Sequence, residues 1–323
     1  MRVKFELPEF TLEDAIQIAN EHYGLSTTAH PLPSERDQNF YLRSRDGKEY
    51  VLKIANNSEQ AAILDLQNCA IDYLAERLPT LALSRVCRTE TGAATITIRS
   101  RMGTTHFVRL LTFVPGKTLA QISTHTPELL YSLGFVLGQI DCALLGFSHA
   151  AAFRELKWDI SRALWIRNYT QYIQDRHGRN LVERVLTDFE NRILPVLREL
   201  RTSVIYNDAN DYNVLVDFQN RVIGVIDFGD MVHTQTICEL AVGAAYAMLN
   251  KPDPHSALAC VTDGYQKAIP LTDQESQILL PLICARLCIT VTNAAYQRTE
   301  EPGNEYLTIS EAPAWKLLET LLS

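Results

Sequence analysis

Residues 204–230 read VIYNDANDYNVLVDFQNRVIGVIDFGD, and this stretch decides the predicted fold. Short apolar runs alternate in this part of the chain with polar loops, and the runs cover residues 203–206, 214–216 and 222–226. Such runs are typical of short buried strands that present loops at their ends. Asp208 and Asn213 follow the first run, and Asp227 follows the last. The pattern therefore predicts three firmly held, oxygen-bearing side chains on neighbouring loops.

The spacing of these side chains suits phosphoryl transfer. Four residues separate Asp208 from Asn213, and Asp227 begins the tripeptide Asp227-Phe228-Gly229. The reaction needs an oriented hydroxyl nucleophile and neutralised phosphate charge, and carboxylate and amide oxygens are suitable Mg²⁺ ligands. The order D-x4-N followed by DFG matches the catalytic and metal loops of kinases in residue type. Taken singly, Asp208 and Asn213 also fit ordinary turn residues.

These motifs make the chain similar to the aminoglycoside phosphotransferase and choline kinase superfamily, and within it to the hydroxylysine kinase branch. The resemblance implies that Asp208 is the catalytic base and that Asn213 and Asp227 bind magnesium. Members of the family commonly have histidine and glycine where this sequence has Tyr206 and Asn207. That departure concerns the geometry of the loop and leaves the proposed base in place.

The pattern of the whole chain predicts an α+β, protein-kinase-like fold with two lobes. Residues 1–113 are expected to form an antiparallel β lobe with one helix at 58–77 and a hairpin at Asp46-Gly47, a strong turn signal. Residues 114–323 are expected to form a mainly helical lobe that carries the catalytic and substrate-binding residues. Its first predicted helices cover 127–147, 161–175, 180–200 and 236–249.

Lys53 lies within the β-run Tyr50-Val51-Leu52-Lys53-Ile54. A lysine among apolar strand residues is costly to bury unless it is paired, and in kinases such a lysine contacts the nucleotide phosphates and an acidic residue of the next helix. The resemblance selects Asp65 as the partner, with Glu59 and Glu76 as competitors. A solvent-facing position for Lys53 is the ordinary alternative.

The resemblance also places further nucleotide contacts in the N-terminal lobe. The loop 33–39, including Ser34 and Asn39, is expected to lie over the phosphates, although it lacks glycine and resembles a plain hairpin loop. The run 110–114, including Thr112, is expected to meet the adenine through its backbone. An edge strand leading into a linker is the alternative for this run.

Substrate-binding residues are expected beside the two catalytic loops. Asp211 and Asp230 flank them, and Trp158 precedes a predicted helix in the region where relatives bind the acceptor. Acidic and aromatic groups would suit an amino alcohol through charge pairing and cation–π contact. Turn formation is the alternative for Asp230, and core packing is the alternative for Trp158. Glu239 is interpreted as structural.

Composition limits the functional class. The chain has 323 residues, 46% of them hydrophobic and 21% charged, and a net charge of -8. It has no basic stripe for nucleic acid, no signal-peptide core and no convincing membrane span. Its seven cysteines include no C-x-x-C pair, so neither a disulfide framework nor a zinc site is predicted. A cytoplasmic setting is the default expectation, and the oligomeric state stays open.

The predicted function is transfer of the γ-phosphoryl group of ATP or GTP, with Mg²⁺, to the hydroxyl of a small molecule. By resemblance, hydroxylysine is the favoured acceptor, followed by ethanolamine, choline or homoserine. The alternatives are an aminoglycoside phosphotransferase and a nucleotide-binding pseudokinase scaffold. A protein kinase is disfavoured because the chain lacks His-Arg-Asp, Ala-Pro-Glu and a long activation segment.

Overall fold

The computed structural model describes residues 7–34, 37–300 and 309–323. Contacts divide the chain into an N-terminal unit, Met1–Pro115, and a C-terminal unit, Gly116–Ser323. The sequence had placed the boundary after residue 113. Each unit is built around different elements and is described separately.

The N-terminal unit contains an antiparallel sheet. Its strands are β1 (Thr27–Leu32), β2 (Gln38–Ser44), β3 (Glu49–Ile54), β4 (Val86–Cys87), β5 (Ile96–Arg99) and β6 (Thr105–Thr112). Their order is β1-β2-β3-β6-β4, and β5 also pairs with β6. The predicted Asp-Gly hairpin joins β2 to β3: Gly47 has a φ of 84°, and the Ser44 N–H donates to the Lys48 carbonyl at 2.9 Å.

One face of this sheet packs against a helix that the sequence analysis missed. Helix α1 (Leu12–Tyr23) begins with a capping box between Thr11 and Asp14 and ends at Gly24, which has a φ of 64°. Its apolar side packs on the alternate strand residues that face the core, such as Leu52. The described residues of the N-terminal unit therefore include two helices, α1 and the predicted helix α2 (Ala61–Arg77), where one was expected. The Thr-x-x-Asp sequence before a periodic apolar run was the available signal.

The C-terminal unit is mainly helical. Its helices are α3 (Pro127–Leu144), α4 (Arg176–Asp188), α5 (Leu194–Leu197), α6 (Ile237–Met248), α7 (Pro254–Ala268), α8 (Asp273–Glu300) and α9 (Glu311–Leu322). Short strands form two small sheets that carry the catalytic loops, and these strands are β7 (Lys117–Thr118), β8 (Thr202–Ile205), β9 (Val214–Val216), β10 (Val222–Val225) and β11 (Val232–Gln235). The sheet orders are β10-β9-β7 and β11-β8, with antiparallel pairing throughout.

The α-helix predicted at 161–175 is instead a 3₁₀ helix, Ile160–Tyr172. Its buried residues Ile160, Ala163 and Ile166 recur every three positions. A spacing of three places side chains on one face of a 3₁₀ helix, which has three residues per turn. The predicted helix type was wrong because an α-helix has 3.6 residues per turn, whereas the buried residues of this segment recur every three.

The helix predicted at 180–200 is also interrupted. Helix α4 is followed by a π-helical turn, Phe189–Ile193, and then by α5. Pro195 lies in the first turn of α5. Proline has no N–H to donate, and its ring clashes with the carbonyl four residues earlier in a regular α-helix. The local widening of the helix accommodates that proline.

Helix α8 is long and apolar enough to span a membrane by length and composition. However, 83% of its most apolar window is buried inside the protein. It packs on α6, on α9 and on the 3₁₀ helix. We therefore interpret α8 as the central core helix of the C-terminal unit.

Candidate active site

The loop after β8 begins with two residues that set its shape. Tyr206 is fully buried, its hydroxyl donates to the Ile226 carbonyl at 2.5 Å, and its ring contacts Phe228 edge-on at 5.2 Å. Asn207 has a φ of 64°, a left-handed conformation that glycine adopts freely and asparagine tolerates better than most residues. The unusual Tyr-Asn pair thus preserves the turn and connects it to the loop that carries Asp227.

Glu239 of α6 binds the backbone of the same loop. Its Oε2 accepts the Asn207 backbone N–H at 2.6 Å, and the side chain is fully buried. Burial raises the pKa of Glu239 to about 7, while hydrogen bonds from the Asn207 and Tyr206 backbone and the charge of Arg286 act in the opposite direction. These contacts support the interpretation of Glu239 as a residue that positions the catalytic loop.

Asp208 and Asn213 lie in direct contact. The Asn213 side-chain nitrogen donates to Asp208 Oδ2 at 2.6 Å, and Asn210 donates to Asp208 Oδ1 at 2.8 Å. The first bond turns the Asn213 amide oxygen away from Asp208. This orientation fits the two predicted roles, because the carboxylate is held in place and the amide oxygen can bind a cation.

Asp227 is brought to the same place by the backbone. The Ile226 N–H donates to the Asn213 carbonyl at 2.9 Å, which joins the two loops one residue before Asp227. Asp227 itself has a φ of 62°, and its Oδ1 accepts the Gly229 N–H at 3.1 Å. A non-glycine residue in this conformation is strained, and such strain is concentrated at functional sites.

The carboxylates of this loop cluster affect one another. Burial raises the pKa of Asp208 well above its ordinary value, and the charges of Asp230 and Asp227 raise it further. The hydrogen bond from Asn210 and the charge of Arg286 lower it in part. Crowded carboxylates with an amide oxygen beside them are a donor set that suits Mg²⁺, which prefers hard oxygen ligands. The residues present therefore fit the predicted metal.

Arg154 is a site residue that the sequence reasoning missed. Its guanidinium donates to the carbonyls of Gly229 at 2.5 Å and of Met231 at 2.8 and 3.0 Å. It thereby braces the backbone directly after the Asp-Phe-Gly tripeptide. Arg154 lies 73 positions before Asp227 (227 − 154), and no local pattern connects the two, so sequence spacing offered no signal.

The three predicted substrate residues have different surroundings. Asp230 is buried, and its carbonyl accepts the Asn207 side-chain nitrogen at 3.2 Å. Asp211 accepts the Ala120 N–H through its own carbonyl at 2.9 Å, and burial raises the pKa of its carboxyl while Lys251 lowers it. Both positions combine a structural backbone contact with a carboxylate near the catalytic loops.

Trp158 lies among protein cations. Its ring is 4.8 Å from the Arg286 guanidinium and 5.1 Å from the Lys157 ammonium. Its carbonyl accepts an Arg286 N–H at 2.9 Å. A substrate ammonium at this ring would meet like charge, so the structure does not favour the expected cation–π contact with an amino alcohol.

Lys53 lies at the centre of the sheet in the N-terminal unit. Its register partners on the neighbouring strands are Asn39 and Arg109, so the three side chains share one face. Arg109 is buried and reaches α2, where it donates to Asn68 Oδ1 at 3.0 Å and Gln67 Oε1 at 2.6 Å. The face that carries Lys53 is therefore the face toward α2.

Asp65 belongs to the same helix, one turn before Asn68. Residues three apart on a helix are neighbours on its surface, so Asp65 continues the row that Arg109 contacts. The competitors are less well placed: Glu59 precedes the helix and accepts the Gln60 N–H at 2.9 Å, and Glu76 lies near its far end. Asp65 is exposed, whereas Gln67 and Asn68 are buried, and its pairing with Lys53 stays a prediction.

The other predicted nucleotide contacts lie at strand ends. Ser34 accepts the Asp37 N–H at 3.3 Å, whereas Glu35 and Arg36 of the expected phosphate loop lie outside the described residues. Asn39 lies within β2, beyond the loop where it was expected, and its Oδ1 is buried without a hydrogen bond to any described residue. Thr112 ends β6, and its hydroxyl oxygen accepts the Arg85 N–H at 2.8 Å.

The sequence profile of a phosphotransferase enzyme family matches residues 28–270, which is more than half of the chain. The chain belongs to that family. Hydroxylysine kinases from Mus musculus and Xenopus laevis are both 32% identical to it, and each alignment covers 97% of this chain and 90% of the relative. The Danio rerio hydroxylysine kinase is 30% identical over 99% of this chain and 94% of its own.

Solved structures agree on the fold. An amicoumacin kinase in complex with AMP-PNP, Ca²⁺ and Ami has a TM-score of 0.73 at 13% identity, covering 96% of this chain and 94% of that one. A microcompartment-associated aminopropanol kinase has a TM-score of 0.71 at 16% identity, covering 97% and 98%. The predicted α+β, kinase-like fold is confirmed. The protein is a small-molecule kinase.

Proposed function

We propose that this kinase transfers the γ-phosphoryl group of ATP to the hydroxyl of hydroxylysine. The observation that carries the proposal is the similarity to hydroxylysine kinases along nearly the whole chain, at 30–32% identity. The arrangement of the loop cluster supports the reaction type, since an aspartate, an asparagine and a second aspartate lie together as phosphoryl transfer requires.

Asp208 is proposed to orient the acceptor hydroxyl and to accept its proton. Its two oxygens are fixed by amide donors from Asn210 and Asn213, so the carboxylate needs little reorganisation at the moment of reaction. The proton leaves the hydroxyl as the oxygen attacks the phosphorus, and ADP is the leaving group.

Asn213 and Asp227 are proposed to hold Mg²⁺. When bound, magnesium neutralises charge on the nucleotide phosphates. The shared backbone contact of Ile226 with Asn213 keeps the two ligand-bearing loops in register, whether or not metal is present. In the N-terminal unit, Lys53 is proposed to contact the phosphates of ATP, with Asp65 as its acidic partner and with Ser34, Asn39 and Thr112 as further nucleotide contacts.

A coupled assay of ADP release tests the proposal. The purified enzyme is given ATP or GTP with Mg²⁺ and one acceptor at a time: 5-hydroxy-L-lysine, ethanolamine, choline, homoserine, 1-amino-2-propanol or an aminoglycoside. We expect the highest kcat/KM with 5-hydroxy-L-lysine and a phosphorylated product visible by ³¹P NMR. A higher kcat/KM with another acceptor would refute the substrate, and nucleotide binding without turnover of any acceptor would indicate a pseudokinase.

A further inference from the structure

Arg286 of α8 is a buried cation without a carboxylate in direct contact among the described residues. It has 1% of its surface exposed, and it forms no ion pair with any residue that the structure describes. Its Nε is also buried without a hydrogen-bond acceptor among those residues. A buried charge without a partner in direct contact is unfavourable, and an acceptor bound directly at the guanidinium would offset that cost.

The contacts that Arg286 does make leave much of its binding capacity unused. One N–H donates to the Trp158 carbonyl at 2.9 Å, and the guanidinium lies 4.8 Å from the Trp158 ring and 5.7 Å from the Tyr246 ring. Arginine offers five donors in a planar fork that matches a carboxylate. Both aromatic rings are half-buried, so the guanidinium lies beneath side chains that border solvent.

A second unpartnered donor lies on the same helix face. Asn293 follows Arg286 by seven residues, which is close to two full turns, and its side-chain nitrogen is buried without an acceptor among the described residues. Seven residues rise about 10 Å along a helix, so one carboxylate can contact only one of these donors, and Arg286 is the donor beside Trp158. A carboxylate is an acceptor-only group.

Arg286 is close to the reacting groups. Its N–H donates to the carbonyl of Trp158, and the next residue, Asp159, accepts the Thr234 hydroxyl at 2.9 Å, four residues after Asp230. The Tyr246 ring beside the guanidinium belongs to α6, the helix whose Glu239 accepts the Asn207 N–H at 2.6 Å directly before Asp208. The acceptor hydroxyl must be near Asp208, so another group of the same small molecule can be near Arg286. The predicted aromatic substrate residue, Trp158, forms part of the same cluster.

We propose that Arg286 binds the α-carboxylate of the acceptor, so that the enzyme selects a hydroxy amino acid over an amino alcohol that lacks a carboxylate. This inference rests on the proposed function, which supplies a substrate with that group. It assigns a different task to Trp158 from the one expected from the sequence: the ring packs on the guanidinium and keeps it in place.

The test compares two acceptors that differ only in the carboxylate, 5-hydroxy-L-lysine and 1,5-diaminopentan-2-ol. Their kcat/KM ratio is measured for the wild type and for Arg286→Met, Arg286→Lys and the control Arg298→Met. Arg298 lies on the same helix, but its side chain is half-exposed and pairs with Glu311. We expect a wild-type preference of roughly 100-fold for the carboxylate substrate, the size of a lost charge-assisted contact.

Arg286→Met should reduce that ratio to about one, mainly through KM for hydroxylysine, and Arg286→Lys should retain part of it because the charge persists without the fork. Arg298→Met should keep the wild-type ratio. A purely structural arginine would lower kcat/KM for both acceptors equally and leave the ratio unchanged, which overturns the proposal. A wild-type ratio near one overturns it as well, even if Arg286→Met does not fold.

The two proposals can fail separately. Turnover of both acceptors at equal efficiency removes the role of Arg286 and keeps the kinase assignment. Turnover of neither acceptor removes the proposed function. In that case, calorimetric binding of L-lysine and cadaverine still tests the arginine: tighter binding of L-lysine that Arg286→Met abolishes supports it, and equal binding overturns it.

Discussion

Replacing Asp208 with asparagine should abolish most activity while leaving the protein at least as stable. The exchange keeps the shape of the side chain and one acceptor oxygen for the Asn213 donor at 2.6 Å. It removes the proposed base, and positioned general bases contribute roughly 10²–10⁴-fold to rate. We therefore expect kcat to fall by about that factor, with a smaller change in the KM for ATP.

The expected effect of Asp208→Asn on folding stability follows from the raised pKa of the Asp208 carboxyl. A carboxyl whose pKa is raised by folding stabilises the folded state below its unfolded pKa, and this contribution is lost as the pH rises through the folded pKa. At neutral pH the ionised form is therefore destabilising, through burial and the charges of Asp230 and Asp227. Asparagine removes that charge, and losing one acceptor for Asn210 offsets roughly 1 kcal/mol of the gain.

Because the raised pKa favours the neutral side chain, the Tm of Asp208→Asn should equal or exceed that of the wild type. Calorimetry in the presence of a chelator measures it, and the ADP-release assay measures kcat. The matched control is Asp217→Asn, in the exposed turn between β9 and β10, where Asp217 Oδ1 accepts the Gln219 N–H at 2.8 Å; its kcat should stay at the wild-type value. A kcat within tenfold of wild type, or a clearly lower Tm, would refute the reasoning for Asp208.

Three further changes probe the remaining site residues. Asp227→Asn should weaken ATP binding at least tenfold in Mg²⁺ and have little effect in a chelator, because it removes a proposed metal ligand. Fluorescence titration with a labelled nucleotide measures the affinity. Equal metal dependence of the variant and the wild type would contradict the assignment. Lys53→Met should lower kcat/KM for ATP by roughly 10²-fold. The control Lys48→Met, in the exposed hairpin before β3, should leave kcat/KM unchanged. Similar losses in both variants would argue for a general effect on the sheet. Glu239→Gln should flatten the pH dependence of the free energy of unfolding. The pKa of Glu239 is raised from 4.5 to about 7, so the wild type should lose up to roughly 3 kcal/mol of that free energy as the pH rises across the interval. Parallel stability curves of the two proteins from pH 4 to 8 would show that the Glu239 carboxyl does not titrate there.

Local sequence signals were sufficient for much of the sheet and for the order of the catalytic residues. The Asp-Gly turn and the alternation in β3 are local features, since each depends on residues that are adjacent in the chain. The same holds for Asp208, Asn213 and Asp227, which lie on loops joined by short strands. Helix α1 was missed although its capping box was present, because its apolar period extends over only 12 residues.

The helix type of Ile160–Tyr172 could not be predicted from local sequence signals. This 3₁₀ helix packs on α8 and buries Ile160, Ala163 and Ile166, and that contact is not visible in the local sequence. The roles of Arg154 and Arg286 have the same origin. Each contacts a segment far away in the chain, so their partners exist only after the helices and loops have packed.

The amino-acid sequence by itself determined the reaction class, because phosphoryl transfer uses a few oxygen-bearing residues at short, readable spacings. Only the tertiary structure decided which cations and carboxylates share one environment, because charge–charge interactions depend on distance and burial instead of position along the chain. Trp158 shows the difference: its sequence context suggested a place for a substrate ammonium, and the folded protein places Arg286 and Lys157 beside its ring.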